Sequence, residues 1–447
     1  VWRQSQEERL NVSNPTTDTR EIIVEILLSL EKGQDFSHKL MKAVLDKYDY
    51  LDLREKAFIK RVAEGTIERQ LELDYYLDHF SSVPVRKMKP LIRCLLRMST
   101  YQILYMDSVP DSAVCNEACK LAAKRGFRTL KGFVNAVLRN ISRQKEHMPL
   151  PDPENATAYL SVKYSMPEWI VNLWLPEYGM AGTERLLKGL LEIHPVSLRF
   201  STGLDQTKRQ HLAEQITQTG VTLRPSRELA YVYLAENLEN VSELPGFAEG
   251  KITVQDASSA LAVEAAKIQK GDFVMDLCAA PGGKTILASE FAGDDGHVLS
   301  RDVSEYKTDL IRENLDRMQC KNVEVQIYDA TVHDTAKEES ADVVLMDVPC
   351  SGLGVMGKKR DIKYHVTPES LQSITELQKK IVEAGWQYVK PGGVLLYSTC
   401  TIHSRENSQM AAWICEHFPF VLEEERQLLP GTDETDGFYF ARLRRKV

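Results

Sequence analysis

From residue 251 onward, five short apolar runs alternate with helix-length segments, and that alternation restricts the chain more than any other feature. The runs are "DFVMDLC" (272–278), "HVLSRDV" (297–303), "VEVQIYD" (323–329), "ADVVLMDVP" (341–349) and "GVLLYSTC" (393–400). Between them lie segments such as "SEYKTDLIRENLDRM" and "ESLQSITELQKKIVEAGWQYV". Strands that are apolar throughout, each followed by a helix, pack as a mostly parallel sheet covered by helices on both faces. Such α/β sheets bind ligands beyond the carboxyl ends of their strands, where strand order reverses.

The rest of the chain reads differently. Residues 15–145 are predicted to be helical throughout: Ile22, Ile23, Ile26, Leu27 and Leu30 form one apolar stripe, and Val134, Val137, Leu138 and Ile141 form another. Pro90 suits the first turn of a helix, and Asp111 or Ser112 suits the cap of "AVCNEACKLAAK". Three prolines in "MPLPDPE" (148–154) break the helical pattern and predict an extended linker. Beyond it, "PEWIVNLWLPEYG" and "GTERLLKGLLEI" read as connecting helices, and "VSLRFST", "TKRQHLAEQITQTG" and "YVYLAEN" as a small β-α-β unit. At 447 residues, two or three domains are expected. The divisions fall at 1–147 (all-α), 148–250 (linker helices and a small α/β subdomain) and 251–447 (α/β).

No apolar run is long enough to suggest a membrane span, and the polar start "VWRQSQEERLNVSN" has no signal-peptide core, so a cytoplasmic chain without a membrane partner is expected. The eight cysteines lack the paired spacing of a zinc site, so no metal is expected. Cys115 and Cys119, four apart on a predicted helix, read as buried fillers. A net charge of −8 argues against nucleic acid, yet residues 86–145 hold 13 Lys plus Arg against three acids, Asp107, Asp111 and Glu117. That local excess suits a polyanion.

The first strand runs into "CAAPGGKT" (278–285), one residue short of the phosphate-loop pattern GxxxxGK[ST] because Cys278 replaces its first glycine. A triphosphatase is therefore one reading. A glycine turn over the first strand equally suits a nucleoside-like ligand, and Asp302, ending the next strand, stands where an acid binds ribose hydroxyls. Asp329, ending the third, is placed to accept from an adenine amino group. The fourth and fifth strands deliver Cys350 ("DVPCSG") and Cys400 ("STC") to the same edge, and a triphosphatase has no use for either thiol.

These motifs, "DLCAAPGGKT", "DVPCSGLGVM", "KPGGVLLYSTC" with "ENSQM", and "DGFYFARL", resemble those of the RNA cytosine-5 methyltransferases. With "GFVNAVLRN" in the helical region, the chain resembles the RsmB/Sun/Fmu family, which joins a NusB-like RNA-binding domain to a class I, Rossmann-like methyltransferase domain. The resemblance implies S-adenosyl-L-methionine as cofactor, a cytosine of 16S ribosomal RNA as substrate, and a monomer. It implies that Cys278, Ala279, Ala280, Pro281, Gly282, Gly283 and Lys284 surround the methionine moiety, with Asp302 on ribose, Asp329 near adenine, and Asp347 and Lys284 at the target base. It implies Cys400 as nucleophile and Cys350 as the thiol that assists release; the opposite assignment is the rival, because DNA cytosine-5 enzymes attack with the cysteine of a Pro-Cys motif. Two thiols make chemical sense. Carbon 5 of cytosine is a poor nucleophile until a thiolate adds to carbon 6, and a general base must then remove the carbon 5 proton. Two departures from the family pattern are Arg360, where proline often precedes Asp-Ile, in a loop expected to contact substrate, and Gln319, where glycine is common at a helix end.

Overall fold

The computed structural model describes residues 18–33, 37–48, 50–192 and 195–447. The opening segment and residues 15–17 of the predicted helical stretch lie outside these. The chain forms two compact units: one from the N-terminal 184 residues together with Lys359–Tyr364, the other from Arg185–Lys358 and His365–Val447.

The first unit is helical: α1 (Thr19–Glu31), α2 (Ser37–Lys47), α3 (Leu53–Glu68), α4 (Gln70–Phe80), α5 (Pro90–Tyr105), α6 (Asp111–Lys124), α7 (Lys131–Gln144), α8 (Ala156–Lys163) and the start of α9 (Glu168–Leu191). The predicted stripes of α1 and α7 are buried in one core, with Leu30 partly covered. α3 starts with a reciprocal cap, Asp52 accepting from the Glu55 amide and Glu55 from the Asp52 amide. Pro90 occupies the first turn of α5. The expected cap of α6 is not made: Pro110 precedes the helix, and Asp111, inside its first turn, accepts instead from Ser142 at 2.7 Å and pairs with Lys145. Cys115 and Cys119 are buried.

Residues 359–364 complete this unit. Arg360 pairs with Glu64 and Glu68 on α3, and Asp361 accepts from the Ser37 amide at 2.6 Å. Lys363, the second residue of α14 (Ile362–His365), donates to the carbonyls of Glu68 and Ser165, each at 2.6 Å. Burial pushes the Lys363 ammonium down to about 7. The charge of Arg360, the departure noted in the sequence, is thus met by two carboxylates of α3.

The second unit holds two sheets. The smaller, in the order β2-β3-β1-β4, comprises β1 (Val196–Phe200), β2 (Thr222–Pro225), β3 (Val232–Glu236) and β4 (Ile252–Val254), with α10 (Gln206–Thr217) packing Leu212 and Ile216 against it. All its pairings are antiparallel, with β1 between β3 and β4, so this is an antiparallel sheet rather than the expected β-α-β unit. The larger sheet runs β10-β11-β9-β8-β5-β6-β7. Its parallel strands are β5 (Phe273–Asp276), β6 (His297–Asp302), β7 (Val323–Ile327), β8 (Ala341–Asp347) and β9 (Val389–Thr399). These are the five apolar runs. β10 (Phe420–Leu428) and β11 (Phe438–Arg445) add an antiparallel edge. One face is covered by α11 (Ala257–Ala265) and α12 (Gly283–Ala292), the other by α15 (Pro368–Gly385) and α16 (Ser408–His417). α13 (Glu305–Met318) packs Ile311 and Leu315 against Ile286 of α12. It ends on Gln319 in the left-handed conformation, φ 57°, the backbone state for which glycine is the easiest residue.

Candidate functional site

The chain leaves β5 outward through β6 and β7, then returns to place β8 on the other side of β5. Strand order therefore reverses between β5 and β8, and a crevice opens beyond their carboxyl ends. Asp276 ends β5 and Asp347 ends β8. Between them the turn 277–283 swings into α12, and Gly282 is the left-handed residue that makes the turn, with φ 103°.

A cavity of 160 Å³ sits here, lined by Cys278, Ala279, Ala280, Pro281, Gly283, Lys284 and Asp347 from the predicted set. The small sheet and α11 contribute Val254, Gln255, Asp256 and Ser259, and β5 contributes Asp276. None of these five was singled out from the sequence; "VQDAS" reads as an ordinary helix start, and Asp256 does cap α11. Only the way β4 feeds into α11 brings the segment to the crevice.

Lys284 donates to Asp347 at 2.7 Å, and Ser398 donates to the other oxygen of Asp347 at 2.8 Å. The ammonium also lies 5.2 Å from the ring centre of Phe438. Asp276 is fully buried; one oxygen accepts from Thr285 at 2.7 Å and the other has no partner. Burial pushes its carboxyl up to about 7, with the Thr285 bond opposing and the Asp347 charge adding to the rise. An orphaned, buried acceptor in a cavity walled by turn backbone fits a ligand that presents an ammonium group, as S-adenosylmethionine does.

Asp302 and Asp329 do not line this cavity. The carboxylate of Asp302 accepts from the amides of Ala280 and Val303, at 2.9 and 2.8 Å, and pairs with Lys307. Asp329 is exposed, and its Oδ1 closes a turn with the Thr331 amide and hydroxyl.

Cys350 and Cys400 lie just past the ends of the adjacent parallel strands β8 and β9, with Asp347 in register with Ser398. Their sulfurs are 3.1 Å apart, and the Cys400 amide donates to the Cys350 sulfur at 3.3 Å. Neither is in a disulfide. The Cys400 sulfur beside it, then burial, push the Cys350 thiol well above its ordinary value, which disfavours its thiolate.

Two glycines close the loop that follows Cys350. Gly354 donates to the Cys400 carbonyl at 3.1 Å and accepts from the Gly437 amide at 2.9 Å. A Cβ on Gly354 would stand 2.0 Å from the Gly437 oxygen. Lys358, at the far end of the loop, bridges Asp256 at 2.8 Å and Asp436 at 2.7 Å. Burial opposes its charge, but the two carboxylates outweigh that and hold the ammonium above the ordinary lysine value.

Among the described residues no group of His, Cys, Asp and Glu is arranged to hold a metal ion, and no helix is long and apolar enough to cross a membrane.

Known proteins place the chain. The model of the NusB family matches residues 17–143, and that of the 16S rRNA methyltransferase RsmB/F matches residues 263–444. A probable ribosomal RNA small subunit methyltransferase B of Bacillus subtilis is 33% identical over 96% of this chain and 99% of its own length. The ribosomal RNA small subunit methyltransferase B of Serratia proteamaculans is 31% identical over 93% and 95%. The crystal structure of PH0851 shares the fold, with a TM-score of 0.78 over 97% of this chain and 100% of that one, at 24% identity. The triphosphatase reading of "GGKT" falls with these matches. By full-length similarity, by both domain models and by its sheet order, the chain belongs to the 16S rRNA methyltransferase RsmB/F family.

Proposed function

We propose that the protein transfers a methyl group from S-adenosyl-L-methionine to carbon 5 of a cytosine in 16S ribosomal RNA, through a transient bond between a cysteine sulfur and carbon 6. One observation carries this reading: two thiols 3.1 Å apart at the strand ends, beside the Lys284–Asp347 pair and the turn over β5.

When bound, S-adenosylmethionine supplies an electrophilic methyl group. The residues of the chain prepare the base to receive it. Cys400 adds as thiolate to carbon 6 of the cytosine, and the electron pair displaced from the 5,6 double bond makes carbon 5 nucleophilic. Asp347, held by Lys284 and Ser398, accepts from the exocyclic amine of the base, and the Lys284 ammonium paired with it offsets the negative charge that develops toward N3. Once carbon 5 carries the new methyl group, a general base removes its proton, the double bond re-forms and the C6–S bond breaks. Cys350, beside the sulfur that must leave, assists that departure by donating an S–H hydrogen bond to the Cys400 thiolate as it re-forms.

The cytosine must be unpaired or flipped out to reach these groups. The helical unit holds the RNA through its phosphates. Seven of the 13 basic residues in 86–145 have no carboxylate partner among the described residues: Arg86, Lys87, Lys89, Arg128, Lys131, Arg139 and Arg143. The other six are consumed by ion pairs with acids such as Glu31, Asp74 and Glu21. The same reading has the protein act as a cytoplasmic monomer, with the cofactor site in residues 251–447 and residues 148–250 joining it to the helical part.

The test is incubation with methyl-labelled S-adenosylmethionine and unmodified 16S RNA, then digestion to nucleosides. Label in 5-methylcytidine is expected. Label in any other nucleoside, or none, overturns the reading.

A further inference from the structure

Glu406 and Asn407, consecutive residues of "ENSQM", do not line the cavity, yet between them they hold the chain on both sides of each thiol. Glu406 ends the short turn Ser404–Glu406 and is 0% exposed. Its carboxylate accepts from the Ser351 amide at 2.9 Å, the Ser351 hydroxyl at 2.5 Å and the Gln378 side-chain amide at 3.0 Å. That same Gln378 nitrogen donates to the Pro349 carbonyl at 3.0 Å. Pro349 and Ser351 are the two neighbours of Cys350.

Asn407, 1% exposed, repeats the arrangement around Cys400. Its Oδ1 accepts from the Thr399 hydroxyl at 2.5 Å, and its Nδ2 donates to the Thr401 carbonyl at 3.0 Å. Thr399 and Thr401 are the two neighbours of Cys400. The brackets are joined to each other: the Ser351 and Thr401 hydroxyls share a 2.8 Å hydrogen bond, and Tyr397 ties the Glu406 carbonyl down at 2.7 Å.

A buried carboxylate is costly unless its lone pairs are filled, and an unaided strand end needs no such group. Apart from a 3.5 Å contact with His403, the Glu406 carboxylate bonds go to the loop of Cys350 or to the glutamine that also holds it. We propose that Glu406 and Asn407 are positioning residues that set the separation and aim of the Cys350 and Cys400 sulfurs, each by clamping the two residues that flank one thiol. The proposal rests on the reading that both thiols act on the base. Its physical content is that an adduct must form at one sulfur and be released with the help of the other, so a displacement of either by about 1 Å costs on the order of 10²-fold in rate.

The experiment uses the full chain and a readout independent of methyl transfer. Diamide oxidises two neighbouring thiols to a disulfide, taking up both hydrogens as it is reduced to the hydrazine, and mass spectrometry of peptides follows the Cys350–Cys400 bond with time. Glu406→Gln and Asn407→Ala are expected to slow this oxidation about tenfold, because the S–S bond tolerates only a narrow geometry. In the methyltransferase assay they are expected to lower kcat by about 10²-fold while KM for RNA changes little. Ser351→Ala, which removes the hydroxyl bonds to Glu406 and Thr401 and keeps the amide bond to Glu406, serves where either variant fails to fold, and is expected to slow oxidation to a lesser degree. Folded variants that form the disulfide at the wild-type rate overturn the proposal. Slowed oxidation in the variants, combined with a wild-type protein that puts no label on cytosine, leaves the clamp standing and overturns the functional reading instead.

Discussion

The sulfurs of Cys350 and Cys400 lie 3.1 Å apart although 50 residues separate them in the chain. The proximity follows from topology: β8 and β9 are parallel neighbours, and each thiol comes just after the end of its strand. With Cys400 as nucleophile, Cys400→Ala is expected to be inactive and to form no covalent complex. Cys350→Ala is expected to accumulate a protein–RNA adduct, visible on a denaturing gel in the presence of S-adenosylmethionine. An adduct in the first variant and none in the second would exchange the two roles.

Asp276 gives a pH signature. Its carboxyl stands near 7 in the folded chain and near 3.9 when unfolded, so the folded state binds the proton more tightly. The stability that this group contributes is complete below about pH 4 and is lost as pH rises toward 7. Asp276→Asn removes the titration. The melting temperature of the variant relative to wild type is therefore expected to climb between pH 5 and 8, by an amount equivalent to a few kcal/mol at most. A difference that stays flat across that range would show that Asp276 is ionised throughout.

Gly354→Ala tests the close approach of the loop after Cys350 to Gly437. The added methyl would meet backbone, not a side chain that can swing away. A loss of about 3 kcal/mol is expected from such overpacking, measurable as a lower urea midpoint with unchanged slope. Gly132, whose Cβ position meets nothing within 4 Å, is the matched control and is expected to accept alanine without loss.

Two kinds of arginine coexist in the basic stretch, and they separate by assay. Arg97 is bonded to both Asp74 and Glu31, so Arg97→Ala leaves the partly buried Asp74 without its arginine and Glu31 with Arg93 alone, and is expected to cost about 3 kcal/mol of stability. Arg139 and Arg143 are exposed and bond only to neighbours on α7. Replacing both by alanine is expected to spare stability and to weaken binding equally for target and unrelated RNA. It should also flatten the dependence of log affinity on log salt by about 0.7–0.9 for each phosphate that is no longer neutralised. An unchanged salt slope would move the RNA to another surface.

How far the sequence carried this reading depended on where each residue's job was local. The central parallel strands were legible because a strand buried on both faces is apolar throughout, as "VVLM" in β8 shows; β7, at the sheet edge with no buried residue, was legible from the alternation in "VEVQI". β10 and β11 were not, because "LEEER" and "ARLRR" carry the charges of an edge hairpin; Glu423 pairs with Arg442 and Arg444 across it. β2 escaped for the same reason, with three of its four residues exposed. In the site, the turn and the two cysteines announced themselves by motif. Glu406 and Asn407 were visible only as part of "ENSQM", without a role, and Gln255 and Asp256 not at all, because the work of all four is done against residues far away in the chain or across a turn, and no local pattern encodes that.

Arg360, Asp361, Lys363 and Tyr364 have one more consequence. They donate to, accept from or pair with residues between Ser37 and Ser165, so the helical unit is discontinuous in sequence. A fragment cut after Glu184 would lack a hexapeptide that its own interior is shaped to receive. It is expected to be less stable than the same helices in the intact chain, and to regain stability when a synthetic peptide of residues 359–364 is added back in trans.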